Sequence, residues 1–170
     1  MRRSLWGYIL WLLLLTGCTD TAMAPEPAPS LQAIALDTVK VVTGQTIYVP
    51  IYSHIYTWER NRAMNLTATL SVRNTDQNHP LILSSVNYYD SNGQRVRKYL
   101  EQPVELGPMA STNFLVNQDD TSGGAGASFL VEWVAQTEIN DPVVEAVMIN
   151  AATNQGLSFV SVGRVIKSLK

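Results

Sequence analysis

The 170-residue chain predicts an all-β domain, an antiparallel β-sandwich of immunoglobulin-like layer architecture. Short runs rich in β-branched and aromatic residues recur between turn residues, enough for about eight to ten strands. Several of these runs alternate apolar and polar side chains with period two, the mark of a strand with one face on a core. No segment carries a confident long helical periodicity. A closed barrel is the main architectural competitor.

The chain opens with a segment that reads as an address. Arg2 and Arg3 precede an apolar run over residues 5–15, of signal-peptide length and well short of the roughly 20 residues a membrane span needs. Leu15-Thr16-Gly17-Cys18 ends that run and holds the only cysteine. The segment resembles the lipobox of bacterial lipoproteins, with residues 1–17 as signal peptide and Cys18 as the lipid-attachment residue. Several acyl chains buried together would anchor the protein at about 0.8 kcal/mol per CH₂. The membrane is then its first partner, and the expected location is the cell envelope, facing the periplasm. A simple secretory signal cut after Ala24, with Cys18 lost, is the alternative. Residues 18–35 contain Pro25, Pro27 and Pro29 without apolar periodicity and read as an acylated, extended tether. The β-domain occupies residues 36–167.

Within it, residues 36–42 and 46–52 look like two strands around the turn Thr43-Gly44-Gln45, with Pro50 at an edge or strand end. Residues 53–65 resist classification, as a loop or a short helical turn. Over residues 64–73, Leu66, Ala68, Leu70 and Val72 alternate with polar residues, and a polar turn follows at 74–78. Residues 81–89 and 94–100 flank the turn signal Asp90-Ser91-Asn92-Gly93, and Arg95 and Arg97 on the returning strand discourage edge pairing. Gly107-Pro108 separates residues 101–106 from a strand at 111–116. The glycine-rich run 119–126 reads as a mobile loop. Phe129, Val131, Trp133 and Ala135 give the next strand a large inward face. Residues 143–150, ambiguous with a helix, read as a strand from their β-branched content after Pro142. Residues 157–166 close the domain, Gly163 marking a bulge or bend, and 167–170 form a basic tail.

Without Arg2 and Arg3, the 12 basic residues become ten against 14 acidic ones. A mildly acidic domain lacks the basic footprint of a nucleic-acid binder and the polybasic patch that binds anionic lipid. With Cys18 acylated, no disulfide, thiol redox centre or cysteine nucleophile remains, so packing alone must hold the exported domain.

Three blocks, residues 48–56, 70–76 and 86–93, resemble an uncharacterised family of bacterial, often cyanobacterial, lipoproteins known as domain-of-unknown-function family 3124. The family brings no activity with it. A looser resemblance, to immunoglobulin-like accessory modules of bacterial and stress-associated proteins, rests on the order of residues 72–76, 89–93 and 106–108. It implies fold alone.

The candidate binding surface is Tyr52, His54, Tyr56, Trp58 and Arg60, because aromatic residues and arginine dominate binding hot spots. Tyr48, Tyr52 and Tyr56 are also what one face of an edge strand would need, so a plain structural role stands beside the functional one. Catalysis is not expected: Ser53 and His54 would point to opposite faces of a strand, and His79 precedes Pro80 in a turn. Two histidines without ligand spacing, and Asp119-Asp120 without alternating oxygen donors, predict no metal or other cofactor. The sequence thus points to a lipid-anchored, non-catalytic module that binds an envelope protein partner. A small-ligand or solute-binding domain, with Trp58, Trp133 or tyrosines lining its pocket, is the alternative.

Overall fold

The structure, a computed structural model, describes residues 31–58, 61–151 and 156–169. Cys18 and Arg60 lie outside them. Among the described residues thirteen strands pair throughout in antiparallel fashion. They are β1 (Gln32–Ala33), β2 (Thr43–Pro50), β3 (His54–Tyr56), β4 (Ala63–Asn65), β5 (Thr67–Arg73), β6 (Leu81–Tyr89) and β7 (Arg95–Lys98). The chain continues through β8 (Val104–Leu106), β9 (Ser111–Val116), β10 (Ser128–Ala135), β11 (Val143–Asn150), β12 (Leu157–Val162) and β13 (Arg164–Leu169).

One sheet has the order β1-β8-β6-β10-β2-β13, with β7 also on β6, and the second has the order β12-β11-β5-β9. Their apolar faces meet as the expected sandwich. Leu70, Val72, Ala146 and Met148 from the smaller sheet share one core with Val49, Val86, Val131 and Trp133 from the larger. The alternation in β5 and β10 places Ala68, Leu70, Val72, Phe129, Val131, Trp133 and Ala135 at 1% exposure or less. Among the described residues no helix is long and apolar enough to cross a membrane.

Several local expectations are corrected. Residues 36–42 are not a strand: Thr38 turns its hydroxyl (2.8 Å) and N–H (3.3 Å) onto the Ala35 carbonyl, closing a 3-10 turn at Leu36–Thr38. A local side-chain bond here outweighs β-propensity. The expected turn at 43–45 instead begins β2, and Gly44 serves close packing, since a Cβ there would sit 2.6 Å from the Trp133 carbonyl oxygen. Residues 53–65 hold the β3–β4 hairpin. The closing segment splits at Gly163: β12 belongs to the smaller sheet and β13 to the larger, and the expected basic tail is paired as far as Leu169. Gln32 and Ala33, within the segment read as a tether, pair with β8.

Candidate binding site

The β3–β4 hairpin grows from a buried anchor. After β2, Ile51 is sealed in the core and Ser53 is fully buried. The Ser53 N–H and hydroxyl both donate to the Gly124 carbonyl, each at 3.1 Å, and the Ser53 carbonyl accepts the Leu66 N–H at 2.9 Å. This fixes where the chain leaves the sandwich and where it returns. Between those points His54 opposes Asn65, Ile55 opposes Met64 and Tyr56 opposes Ala63. The Thr57 N–H (2.9 Å) and hydroxyl (3.0 Å) donate to the Arg62 carbonyl and close the tip.

The anchor also explains how the aromatic side chains distribute. Ile55 packs on the core, while Tyr56 is 52% and Trp58 87% exposed. The His54 ring stands edge-on to Tyr56, with centroids 5.4 Å apart and planes at 77°. Tyr52 lies instead at the base, half-buried against Phe159 of β12 at 5.7 Å. His54, Tyr56 and Trp58 therefore share the projecting hairpin and Tyr52 supports it. The single tyrosine stripe does not form: Tyr48 is on β2, which runs between β10 and β13, and the chain turns at Ser53 before Tyr56. The other tryptophan proposed to line a pocket, Trp133, is 1% exposed and belongs to the core.

The glycine-rich loop read as mobile is tied down. Besides the loop's bonds to Ser53, the Ser91 hydroxyl donates to the Gly123 carbonyl at 3.0 Å and its oxygen accepts the Gly126 N–H at 2.9 Å. A Cβ on Gly123 would lie 1.9 Å from the Tyr88 hydroxyl, so only glycine closes over this buried phenol. Burial, reinforced by the Asp120 charge, raises the Tyr88 pKa. Asp120 pairs with Arg97 at 2.7 Å and accepts the Ser122 hydroxyl. Burial works against its charge, but the Ser122 and Arg97 bonds prevail and lower its pKa. Arg97 lies over the Tyr99 ring and donates to its hydroxyl at 3.0 Å, which in turn donates to the Leu115 carbonyl at 2.7 Å. Sequence reasoning missed this cluster because its members come from strands and loops that meet only in the fold.

A second network missed from the sequence is built on Asn74 and Asp76, both buried. The Asn74 amide donates to the carbonyls of His79 (2.9 Å), Leu106 (3.2 Å) and Gly107 (3.0 Å), and its oxygen accepts the Asp76 N–H at 2.9 Å. Asp76 accepts the N–H groups of Asn78 and His79, each at 2.9 Å, and of Asn140 at 3.2 Å. The Asn78 N–H is the largest influence; with the other donors it overcomes burial and holds the carboxyl at about 2. Its signal was present as Asn-Thr-Asp in a polar turn, since such side chains bond neighbouring backbone. His79, half-exposed, rests Nδ1 3.2 Å from Asp76.

A cleft of about 650 Å³ lies between β13, the start of β2 and the loop leading into β11, lined by Gln45, Glu138, Ile139, Asp141, Val165 and Leu169 among others. Gln45 donates to Asp141 across it at 2.8 Å. Among the described residues no group of three or more histidine, cysteine, aspartate or glutamate side chains is placed to hold a metal ion.

No curated protein matches the chain. Among solved structures, the crystal structure of Thermotoga maritima 1070 is similar at 14% identity and a TM-score of 0.42, covering 71% of this chain and 92% of that one. Residues 44–166 match the family described as Protein of unknown function (DUF3124). That span runs from the start of β2 into β13 and takes in the sandwich, the hairpin and both buried polar networks, so the chain belongs to the DUF3124 family.

Proposed function

We propose that this protein is a non-catalytic binding module, held at a membrane of the cell envelope by a lipid on Cys18, that engages an envelope protein through its β3–β4 hairpin. The observation that carries the reading is the exposure of Tyr56 and Trp58 on a hairpin whose base is fixed by Ser53. An aromatic side chain left in water forgoes the gain of burial, about 1.5–3 kcal/mol for a large apolar residue. A pre-ordered hairpin recovers that gain on a partner with little ordering cost.

Cross-linking and pull-down from solubilised membranes test this, comparing the native chain with a Tyr56→Ala, Trp58→Ala pair. A partner lost only from the variant supports the reading, and an unchanged partner set removes the hairpin from it. Mass spectrometry of the mature N-terminus tests the anchor, through the mass of an acylated Cys18.

The cleft favours the second reading, a small-ligand binder, because about 650 Å³ falls within the range of ligand sites. No tryptophan lines it. Titration calorimetry against a metabolite panel, with Gln45→Ala as control, therefore tests that reading better than intrinsic fluorescence.

A further inference from the structure

The sheet edges of this sandwich are not treated alike. β1 is two residues long, and β7 places three cations, Arg95, Arg97 and Lys98, in four residues. Short or charged edges of this kind resist pairing with another chain. The flank formed by β12 and β13 is longer, six residues in each strand, and β13 has guards of its own: a register shift between Val165 and Lys167, and the cations Arg164 and Lys167, whose charges repel a basic strand and attract an acidic one. Among the described residues β12 pairs only with β11 and β13 only with β2, so there each leaves one row of backbone donors and acceptors free of the sheet. All six residues of β13 are exposed, among them Val165, Ile166 and Leu169, and Val160 and Val162 are exposed on β12. Gly163 sets these strands end to end across the two sheets, and both lie within a few residues of the Phe159 contact that supports the hairpin base.

We propose that the free edge of β13 takes up an extended acidic segment of another protein as an added strand. Backbone pairing supplies the affinity in such a mode, and alternate side chains supply the choice of partner. The strand itself defines that choice. It carries Arg164 and Lys167 with no acidic residue, and neither cation takes part in an ion pair among the described residues. Glu138 and Asp141 line the cleft that β13 borders, and Asp141 accepts a hydrogen bond from Gln45. A second copy of the chain would bring two further cations to the same edge. The register shift after Val165 brings Arg164 and Lys167 to one face of β13, so a segment with glutamate or aspartate at alternate positions meets both, while its apolar side chains, on the other face, cover Val165. This surface is separate from the exposed hairpin tip, and the proposal goes beyond the hairpin reading.

The test is fluorescence polarisation on the full chain in detergent, with a labelled ten-residue peptide of valine, threonine and alternating glutamate and a second in which lysine replaces glutamate. The acidic peptide binds saturably and the basic one does not. Arg164→Glu with Lys167→Glu weakens the acidic peptide by about tenfold and gains the basic one. Methylating alternate backbone nitrogens of the acidic peptide on its pairing edge abolishes binding, whereas methylating the other set does not. The Tyr56→Ala, Trp58→Ala pair leaves the peptide affinity unchanged, which separates this proposal from the hairpin reading. Absence of saturable binding, equal binding of both peptides, or indifference to both methylation patterns overturns it. So does light scattering that shows a dimer dispersed by the charge reversal, since a second copy would then own the edge.

Discussion

Replacing Gly163 with alanine tests the point at which the chain changes sheets. A Cβ there would stand 2.7 Å from the Val144 carbonyl oxygen, 2.7 Å from Ile47 Cγ2 and 3.2 Å from Val49 Cγ2. Ile47 and Val49 are sealed in the core, so neither has open space to retreat into. The backbone cannot simply lift away, because the Gly163 N–H donates to that same Val144 oxygen at 2.8 Å. Relief therefore requires shifting Gly163 away from β11 and losing a hydrogen bond, or forcing two core side chains off their rotamers. Overpacking of this kind costs about 1–3 kcal/mol, and the lost bond about 1 more, so about 2–4 kcal/mol is expected. With a urea slope of about 2 kcal/mol/M for a domain of this size, the unfolding midpoint falls by roughly 1–2 M. Gly107→Ala is the control, since nothing lies within 4 Å of its Cβ position, and its midpoint stays near that of the native chain. A Gly163→Ala midpoint indistinguishable from that of the control would refute the argument that this glycine fixes the crossover.

Asn74→Ala strips amide donors from three loop carbonyls and an acceptor from the Asp76 N–H, and with buried groups left unpaired it loses about 2–4 kcal/mol; a midpoint within experimental scatter of the native chain would contradict the network. Asp76 predicts an acid-sensitive window. Its folded pKa of about 2 lies below the ordinary 3.8, so its contribution is complete above the higher value and fades as pH falls toward the lower. Asp76→Asn lowers the urea midpoint at neutral pH and flattens its decline between about pH 5 and 2, and an unchanged acid slope would count against the reading. Asp120, also lowered, acts in the same direction. The exposed pair Tyr56→Ala, Trp58→Ala holds its thermal midpoint to within about 0.5 kcal/mol of native stability, the usual range for surface changes. A larger loss would show that the hairpin aromatics are structural.

Where burial alone decided the structure, the sequence was readable. Leu66, Ala68, Leu70 and Val72 alternate because one face of the strand meets a core, and all four are sealed there. Asp90-Ser91-Asn92-Gly93 was legible for local reasons: Gly93 takes φ 75°, and Asp90 accepts the N–H groups of Asn92 and Gln94. What failed needed a distant partner to be known. Gly44 reads as a turn until Trp133 is seen across the sheet, and the bulge or bend read at Gly163 proves a bend that changes sheets only once Val144 is seen beneath it. The hairpin was obscure because its register depends on Ser53, whose bonds reach the carbonyls of Thr121 and Gly124, some seventy positions away. Of the surface candidates, Tyr56 and Trp58 project and Tyr52 does not. Even spacing distinguishes them only on one continuous strand, and the chain turns between them.

The three sequence blocks that carry the family resemblance can now be separated by what occupies their side chains. Residues 70–76 end in Asn74 and Asp76, whose polar atoms are consumed in joining the turn to the loops around Leu106 and Asn140. Residues 86–93 supply the buried Tyr88 and the hairpin turn closed by Asp90, and Ser91 is engaged by the glycine-rich loop. Folding accounts for the special residues of both blocks. In residues 48–56 it accounts for Val49, Ile51, Ser53 and, through Phe159, Tyr52. Tyr56, 52% exposed, has the edge of His54 against it, and Trp58 follows at the tip. A fold that stabilises itself without a disulfide in the sandwich gains nothing by holding two large aromatic rings in water. On the proposed reading, a hairpin base held by these bonds and rings exposed at its tip suit docking on a partner.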